Sequence, residues 1–178
     1  MVLHHDTTGL PSDPPRPPAG PRPVYRVDAA APAASAAEEI VAGLRRHWER
    51  LPAALILAAD SVYSRLVEQL RARLAGMEAQ AGDGAPGESV RAALHGGDTL
   101  VCGGYFLAAG TGPGRFAPAL FVNLGPGSRL LAEPLVVGPL LGVARSADPG
   151  AADGFLRALH GAFTLRPLRC APPPGPPT

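Results

Sequence analysis

The strongest constraint on the fold is the uneven distribution of charge along the chain. Residues 35–75 carry eleven charged side chains, whereas residues 99–144 carry three, namely Arg115, Arg129 and Glu133. A segment with so few charges is expected to be buried, and amphipathic helices are a common cover for it. The second half of the chain is therefore predicted to form a sheet, and the first half to supply covering helices.

The longest uncharged stretch, residues 99–114, does not have the properties of a membrane span. It has sixteen residues, five of them Gly and one Pro, whereas a spanning helix needs about 20 apolar residues. The N-terminus MVLHHDTTGL lacks the basic and apolar segments of a secretory signal. Two cysteines, Cys102 and Cys170, cannot build a disulfide framework or a zinc set, so a cytoplasmic location is expected.

Proline marks the limits of the expected domain. Residues 11–23 contain seven prolines, and residues 171–178 have the same character, which favours polyproline II or disorder. We predict a disordered leader over 1–22, one globular domain over 23–170 and a disordered tail after it. A glycine-rich segment, residues 76–87, is expected to be a flexible surface loop.

Hydrophobic spacing predicts three main helices. The first spans residues 36–50 and begins at a capping box formed by Ser35 and Glu38. The second follows a buried apolar strand, residues 53–59, and Asp60 or Ser61 is its expected cap. The third begins at Asp148-Pro149, and its buried face is expected to extend to Phe163.

The remaining segments predict the sheet. Residues 23–28 alternate as a short, peripheral strand, and glycine-rich turns at 110–114 and 125–128 indicate strands that pair with antiparallel neighbours. The predicted fold class is a single-domain α+β protein, in which about three amphipathic helices pack on a mostly antiparallel sheet of four to six strands.

Candidate catalytic residues are few. Cys102 is a possible nucleophile, and His95, His160 or Asp98 could activate it, but a cysteine in an apolar strand is usually a small buried residue. Asp60 is a further candidate, because it follows a buried strand at the edge where open sheets bind ligands. No pattern of a known hydrolase or metal enzyme surrounds any of them.

Candidate binding residues are Asp60 and Ser61 at that strand edge, together with Asn123, a lone amide that closes an apolar strand. The glycine-rich segment 110–114 does not lead into a helix, so it predicts a hairpin turn rather than a phosphate loop. The pair His4-His5 lies in the leader without a fixed geometry. We therefore predict no metal and no cofactor.

Two hypotheses for function follow. The first is a non-enzymatic accessory or binding protein that self-associates, as a dimer, or binds a protein partner through residues 99–144, and that could take a small apolar ligand. The alternative is a small transferase or hydrolase on an apolar or acyl-type substrate, with Cys102 or the Asp60-Ser61 edge in its site. A net charge of +1 argues against nucleic acid as a partner.

Overall fold

The structure is a computed structural model, and it describes residues 21–47, 53–81, 85–107, 114–132, 138–159 and 163–169. In chain order its elements are β1 (Arg22–Val27), α1 (Ala33–His47), β2 (Ala54–Ala59), α2 (Asp60–Ala75), β3 (Gln80–Ala81), α3 (Ala85–His95), β4 (Thr99–Cys102), β5 (Phe106–Leu107), β6 (Arg115–Phe116), β7 (Ala119–Val122), α4 (Arg129–Ala132), β8 (Leu140–Ser146), α5 (Pro149–Ala158) and β9 (Phe163–Arg166).

The main sheet has six strands in the order β4-β7-β8-β2-β1-β9. Every neighbouring pair in it is parallel except β4 with β7. The prediction of a mostly antiparallel sheet is therefore wrong, although the prediction that helices pack on a sheet of four to six strands is confirmed for this main sheet. The fold is a small α/β domain in which β3, β6 and β5 form a separate antiparallel sheet.

The apolar half of the chain explains the difference. The 125–128 turn exists, with Ser128 N–H bonded to the Gly125 carbonyl at 3.0 Å, but the chain then forms α4 and returns to start β8 parallel to β7. A strand that is buried on both faces is apolar without alternation, as parallel strands are. The continuous apolarity of this half thus reflects burial on both faces, and glycine-rich turns alone do not specify antiparallel pairing.

Helices cover both faces of the sheet. On one face, which we call the α1–α2 face, residues such as Ile56 and Val143 pack against Ile40 and Leu66 of those helices. On the opposite face, the α3–α5 face, Leu55 and Ala144 pack with residues of the other three helices, among them Val90, Leu130 and Ala152. Successive residues of β2 alternate between the two clusters, as the pleat requires.

Several local predictions change in the structure. β1 is not peripheral, because β9 pairs with its outer side. β9 begins at Phe163, the residue expected to end the last helix, and α5 ends at Ala158. α1 begins at Ala33, ahead of Ser35, so Ser35 lies within the helix rather than at its cap.

Of the caps predicted for the two later helices, one is confirmed and the other is wrong. The Asp148 side chain caps α5, accepting from the Ala151 N–H at 2.8 Å with Pro149 behind it, as predicted. α2 instead has Ala59 at its N-cap and no side-chain cap bond. Neither Asp60 nor Ser61 is therefore that cap.

Other predictions fall on residues that the structure does not describe. These are the leader up to residue 20, the end of the first helix at 48–52, and the tail. The predicted domain limits stay predictions. Within 76–87 the structure places β3 and the start of α3. In the described ranges, no helix combines the length and the apolarity that a membrane crossing requires.

Candidate functional site

The geometry of the sheet singles out the point between β2 and β8. The two strands are parallel neighbours, but the helix that follows β2 covers the α1–α2 face and the helix that follows β8 covers the opposite face. The two chain segments therefore diverge at the carboxyl ends of these strands, and they leave a crevice there. In open α/β sheets this divergence is where ligands bind.

A pocket of about 470 Å³ lies at this position, and we call it the carboxyl-edge pocket. Its lining comes from the ends of β1, β2 and β8 and from the residues that follow those strands, namely Arg26, Val27, Asp28, Ala29, Ala30, Leu57, Ala59, Ser146, Ala147, Asp148, Pro149 and Ala152. The lining is mostly alanine and other apolar side chains, with polar groups at a few points. A pocket of this size and composition suits a small organic molecule.

Arg26 and Ser146, two polar residues of the pocket wall, both have partners. Arg26 contacts the Asp153 carboxylate at 3.1 Å and the Asp28 carboxylate at 3.4 Å. The Ser146 hydroxyl donates to the Asp148 carbonyl at 2.7 Å. The positive charge of Arg26 is thus shared between two acids, and the pocket wall presents no unpaired cation to a ligand.

The start of α2 supplies donors at the same edge. Because Ala59 has no side-chain oxygen, the first backbone N–H groups of this 16-residue helix have no side-chain cap. Those groups carry the positive end of the helix dipole. They can donate to the oxygen of a neutral carbonyl, while the neighbouring Asp60 carboxylate, which is exposed, disfavours an anion.

A second polar cluster lies at the carboxyl ends of β7 and β8, on the α1–α2 face. The Tyr63 hydroxyl donates to Asn123 Oδ1 at 3.0 Å and accepts from the Asn123 backbone N–H at 3.1 Å. The Arg145 guanidinium lies over the Tyr63 ring, 4.0 Å from its centre. Asn123 has a positive φ of 58°, which asparagine tolerates better than most residues.

Cys102 and His95 are not brought together. Cys102 is on β4, where it packs with the α1–α2 face, whereas His95 is exposed at the end of α3, which packs with the opposite face. Burial raises the pKa of the Cys102 thiol, and this outweighs the lowering by Arg71 and by the Leu120 backbone hydrogen bond. Asp98 accepts instead from the Ser128 hydroxyl at 2.6 Å.

Asp60, Ser61 and Asn123 do lie at one edge of the sheet, because each follows the end of a parallel strand. Arg145, which lies at the same edge, is not among the site residues predicted from the sequence. A signal for it was present, since Arg145 is a charged residue at the end of an otherwise apolar strand. Across the described residues, no three His, Cys, Asp or Glu side chains group as metal ligands would, and the His4-His5 pair lies outside them.

The solved structures that are similar to this chain share one fold with it. No protein-family model matches the sequence, and no curated protein matches it. Among solved structures, lactaldehyde dehydrogenase from Escherichia coli is similar at 15% identity and a TM-score of 0.64, over 82% of this chain and 38% of that one.

Two further structures agree. An NAD-dependent aldehyde dehydrogenase from Sinorhizobium meliloti matches at 20% identity and a TM-score of 0.64, over 78% of this chain and 31% of that one. An NADP-dependent enzyme from E. coli matches at 20% identity and a TM-score of 0.58, over 83% and 38%. The chain thus spans about a third of the length of these structures.

This finding corrects the first hypothesis from the sequence. The fold is shared with part of NAD(P)-dependent enzymes, so the non-enzymatic binding protein proposed from the sparse polar residues is wrong. The sparse polar residues reflect a parallel sheet buried on both faces. The chain has the fold of one part of an aldehyde dehydrogenase.

Proposed function

We propose that this chain is one part of a NAD(P)-dependent aldehyde oxidoreductase, and that it binds the aldehyde at the carboxyl-edge pocket. The observation that carries the proposal is the shared fold, which extends over about four-fifths of this chain and over 38% of the length of the similar enzymes. The remainder of such an enzyme would come from a further segment of the same protein or from a second chain.

The pocket supports the aldehyde as ligand. An aldehyde is a neutral molecule with an apolar chain and one hydrogen-bond acceptor. The alanine-rich wall suits the apolar chain, and the uncapped N–H groups at the start of α2, which directly follow the pocket residue Ala59, suit the carbonyl oxygen. Donors aimed at a carbonyl oxygen also stabilise the negative charge that develops there when a nucleophile attacks.

The dinucleotide does not fit the residues of this chain. A pyrophosphate group binds to free backbone N–H groups in a glycine-rich turn between a strand and a helix. At the start of α5 the Asp148 carboxylate already occupies the Ala151 N–H, and α2 begins with Asp60 directly after β2. The connection from β1 to α1 contains Asp28 and no glycine.

Three acidic side chains therefore stand where the phosphates would lie, so we assign the dinucleotide to the part of the enzyme outside this chain. The predicted absence of a cofactor thus becomes a proposal about this chain alone. It implies a partner that binds NAD or NADP, either as a second chain or as a further segment of the same one.

Calorimetric titration of the full chain with pentanal and, separately, with NAD+ and NADP+ tests the proposal. We expect saturable binding of pentanal and no binding of either dinucleotide. The chain contains no lysine, so imine formation with the probe is confined to the N-terminal amine, and a Cys170→Ser background removes one thiol that could add to it.

A matched pair of variants locates the binding. Ala59→Leu adds bulk to the pocket wall at a residue whose φ of −58° and ψ of 143° accept any side chain, and it should weaken pentanal binding at least fivefold. Ala75→Leu adds the same bulk at the exposed far end of α2 and should have no effect. Equal affinities in the two variants, or tight NAD+ binding by the chain alone, would refute the proposal.

A further inference from the structure

We infer that Arg145, Asn123 and Tyr63 form a carboxylate-binding site, so that the aldehyde taken by this chain also carries an acid group. That the ligand is an aldehyde rests on the proposed function, whereas that it carries an acid group rests on the contacts of Arg145, Asn123 and Tyr63. The two parts can be tested separately.

Arg145 is held in place without being neutralised. Its side chain is exposed, and the stacking on Tyr63 at 4.0 Å fixes the plane of the guanidinium. Within the described part of the chain, no carboxylate lies within 4 Å of Arg145, whereas Arg26 and Arg115 each form ion pairs. A planar guanidinium that is held in one orientation and is not paired with an acid matches the two oxygens of a carboxylate.

Asn123 adds a second donor group at this position. Its Oδ1 and its backbone N–H are both used by the Tyr63 hydroxyl, and these bonds hold the residue at its positive φ of 58°. The side-chain Nδ2, which carries two hydrogens, makes no hydrogen bond to the described residues, and Asn123 is exposed. Both donor groups of the cluster are thus oriented by Tyr63, and both are left available to a ligand.

The cluster is adjacent to the carboxyl-edge pocket. Arg145 pairs in register with Ala58, and the next pair along the two strands, Ser146 with Ala59, lines the pocket. Successive residues of β8 point to opposite faces of the sheet, so a ligand reaches both the cluster and the pocket by crossing the carboxyl ends of β2 and β8. Asp60 lies one turn before Tyr63 in α2, and its charge opposes a carboxylate there.

Calorimetry of the full chain at low ionic strength with three probes tests the inference. 4-Oxobutanoate carries both an aldehyde and a carboxylate, pentanal carries the aldehyde alone, and succinate carries carboxylates alone. We expect 4-oxobutanoate to bind about tenfold more tightly than pentanal, because charge-assisted hydrogen bonds are the stronger class. Added salt should reduce this preference.

Arg145→Met should abolish the preference and leave pentanal binding within twofold of the unmodified chain. Arg91→Met, which removes the same charge from an exposed position on α3, is the matched control and should behave as the unmodified chain. Asp60→Asn should strengthen binding of 4-oxobutanoate and not of pentanal. Urea unfolding of each variant verifies that it is folded.

The outcomes separate the two proposals. An Arg145→Met variant that keeps the preference, or that loses pentanal and 4-oxobutanoate equally, would overturn the carboxylate site. Binding of succinate and 4-oxobutanoate that depends on Arg145, with no binding of pentanal, would support the carboxylate site while refuting aldehyde binding in the pocket.

Discussion

Replacement of Arg22 by methionine should destabilise the domain by about 3 kcal/mol. Arg22 is 7% exposed at the amino end of β1, and its guanidinium donates to the carbonyls of Ala53 at 2.8 Å, Leu131 at 3.2 Å and Leu130 at 3.3 Å. It thereby joins the residue before β2 to α4. Methionine keeps the aliphatic stem and removes these donors.

The magnitude follows from those three bonds. A hydrogen bond from a charged group contributes about 1.5–3 kcal/mol, but burial lowers the pKa of Arg22 by disfavouring its charged form, and this desolvation offsets part of the gain. With an m-value of about 2 kcal/mol/M, the loss lowers the urea midpoint by roughly 1.5 M.

Circular dichroism during urea unfolding measures this change. Arg26→Met on the same strand is the control, because Arg26 is partly exposed and its ion pair with Asp153 should contribute about 0.5 kcal/mol. A midpoint for Arg22→Met equal to that of Arg26→Met would refute the reasoning.

Three further predictions concern other parts of the molecule. Because burial raises the pKa of Cys102 above its ordinary value of 9.0, its alkylation by iodoacetamide in a Cys170→Ser background should reach half of its maximal rate at a higher pH than the alkylation of a free thiol does; the stability that this protonated thiol contributes is complete below pH 9 and is lost as pH rises through the raised pKa. Asp148→Ala should cost about 1 kcal/mol in thermal unfolding, since it removes the cap of α5. Self-association through residues 99–144 stays a prediction, to which the exposed Tyr105, Phe106 and Leu107 contribute apolar surface; native mass spectrometry should give a dimer that Phe106→Asp dissociates, and a monomer would contradict it.

The parts of the fold that could be predicted from the sequence are those with local causes. The spacing of Leu66, Leu70 and Leu74 follows from one helix face, and all three are buried. Asp148-Pro149 specifies a helix start through a single side-chain bond. Such signals do not depend on the order of the strands, so the predictions based on them hold even when the predicted topology is wrong.

Strand direction had no comparable local signal. Whether β8 runs parallel or antiparallel to β7 depends on the crossover through α4, a helix of four residues that is too short to show a hydrophobic period. Phe163, the first residue of β9, is predicted to belong to the preceding helix because it continues the apolar spacing of α5. These contacts between distant segments decide the sheet order, and a single sequence does not display them.

The same limit applies to the candidate site. Asp60, Ser61 and Asn123 could be placed at the carboxyl edge because each follows an apolar strand. Their proximity to Arg145 could not be predicted, because it requires β8 to lie beside β2 and in register with it. The pocket could not be predicted either, because its wall combines residues of three strands that are far apart in sequence.

Chemical-shift mapping of the 15N-labelled full chain during titration with pentanal tests the central claim most directly. The account predicts that the amide signals of Ala59, Ala147 and Asp148, at the carboxyl ends of the parallel strands, shift most and saturate together. Shifts that instead centre on Ala53 and Leu140, at the amino ends of β2 and β8, or signals that do not move at all, would contradict the assignment of the aldehyde to the carboxyl-edge pocket.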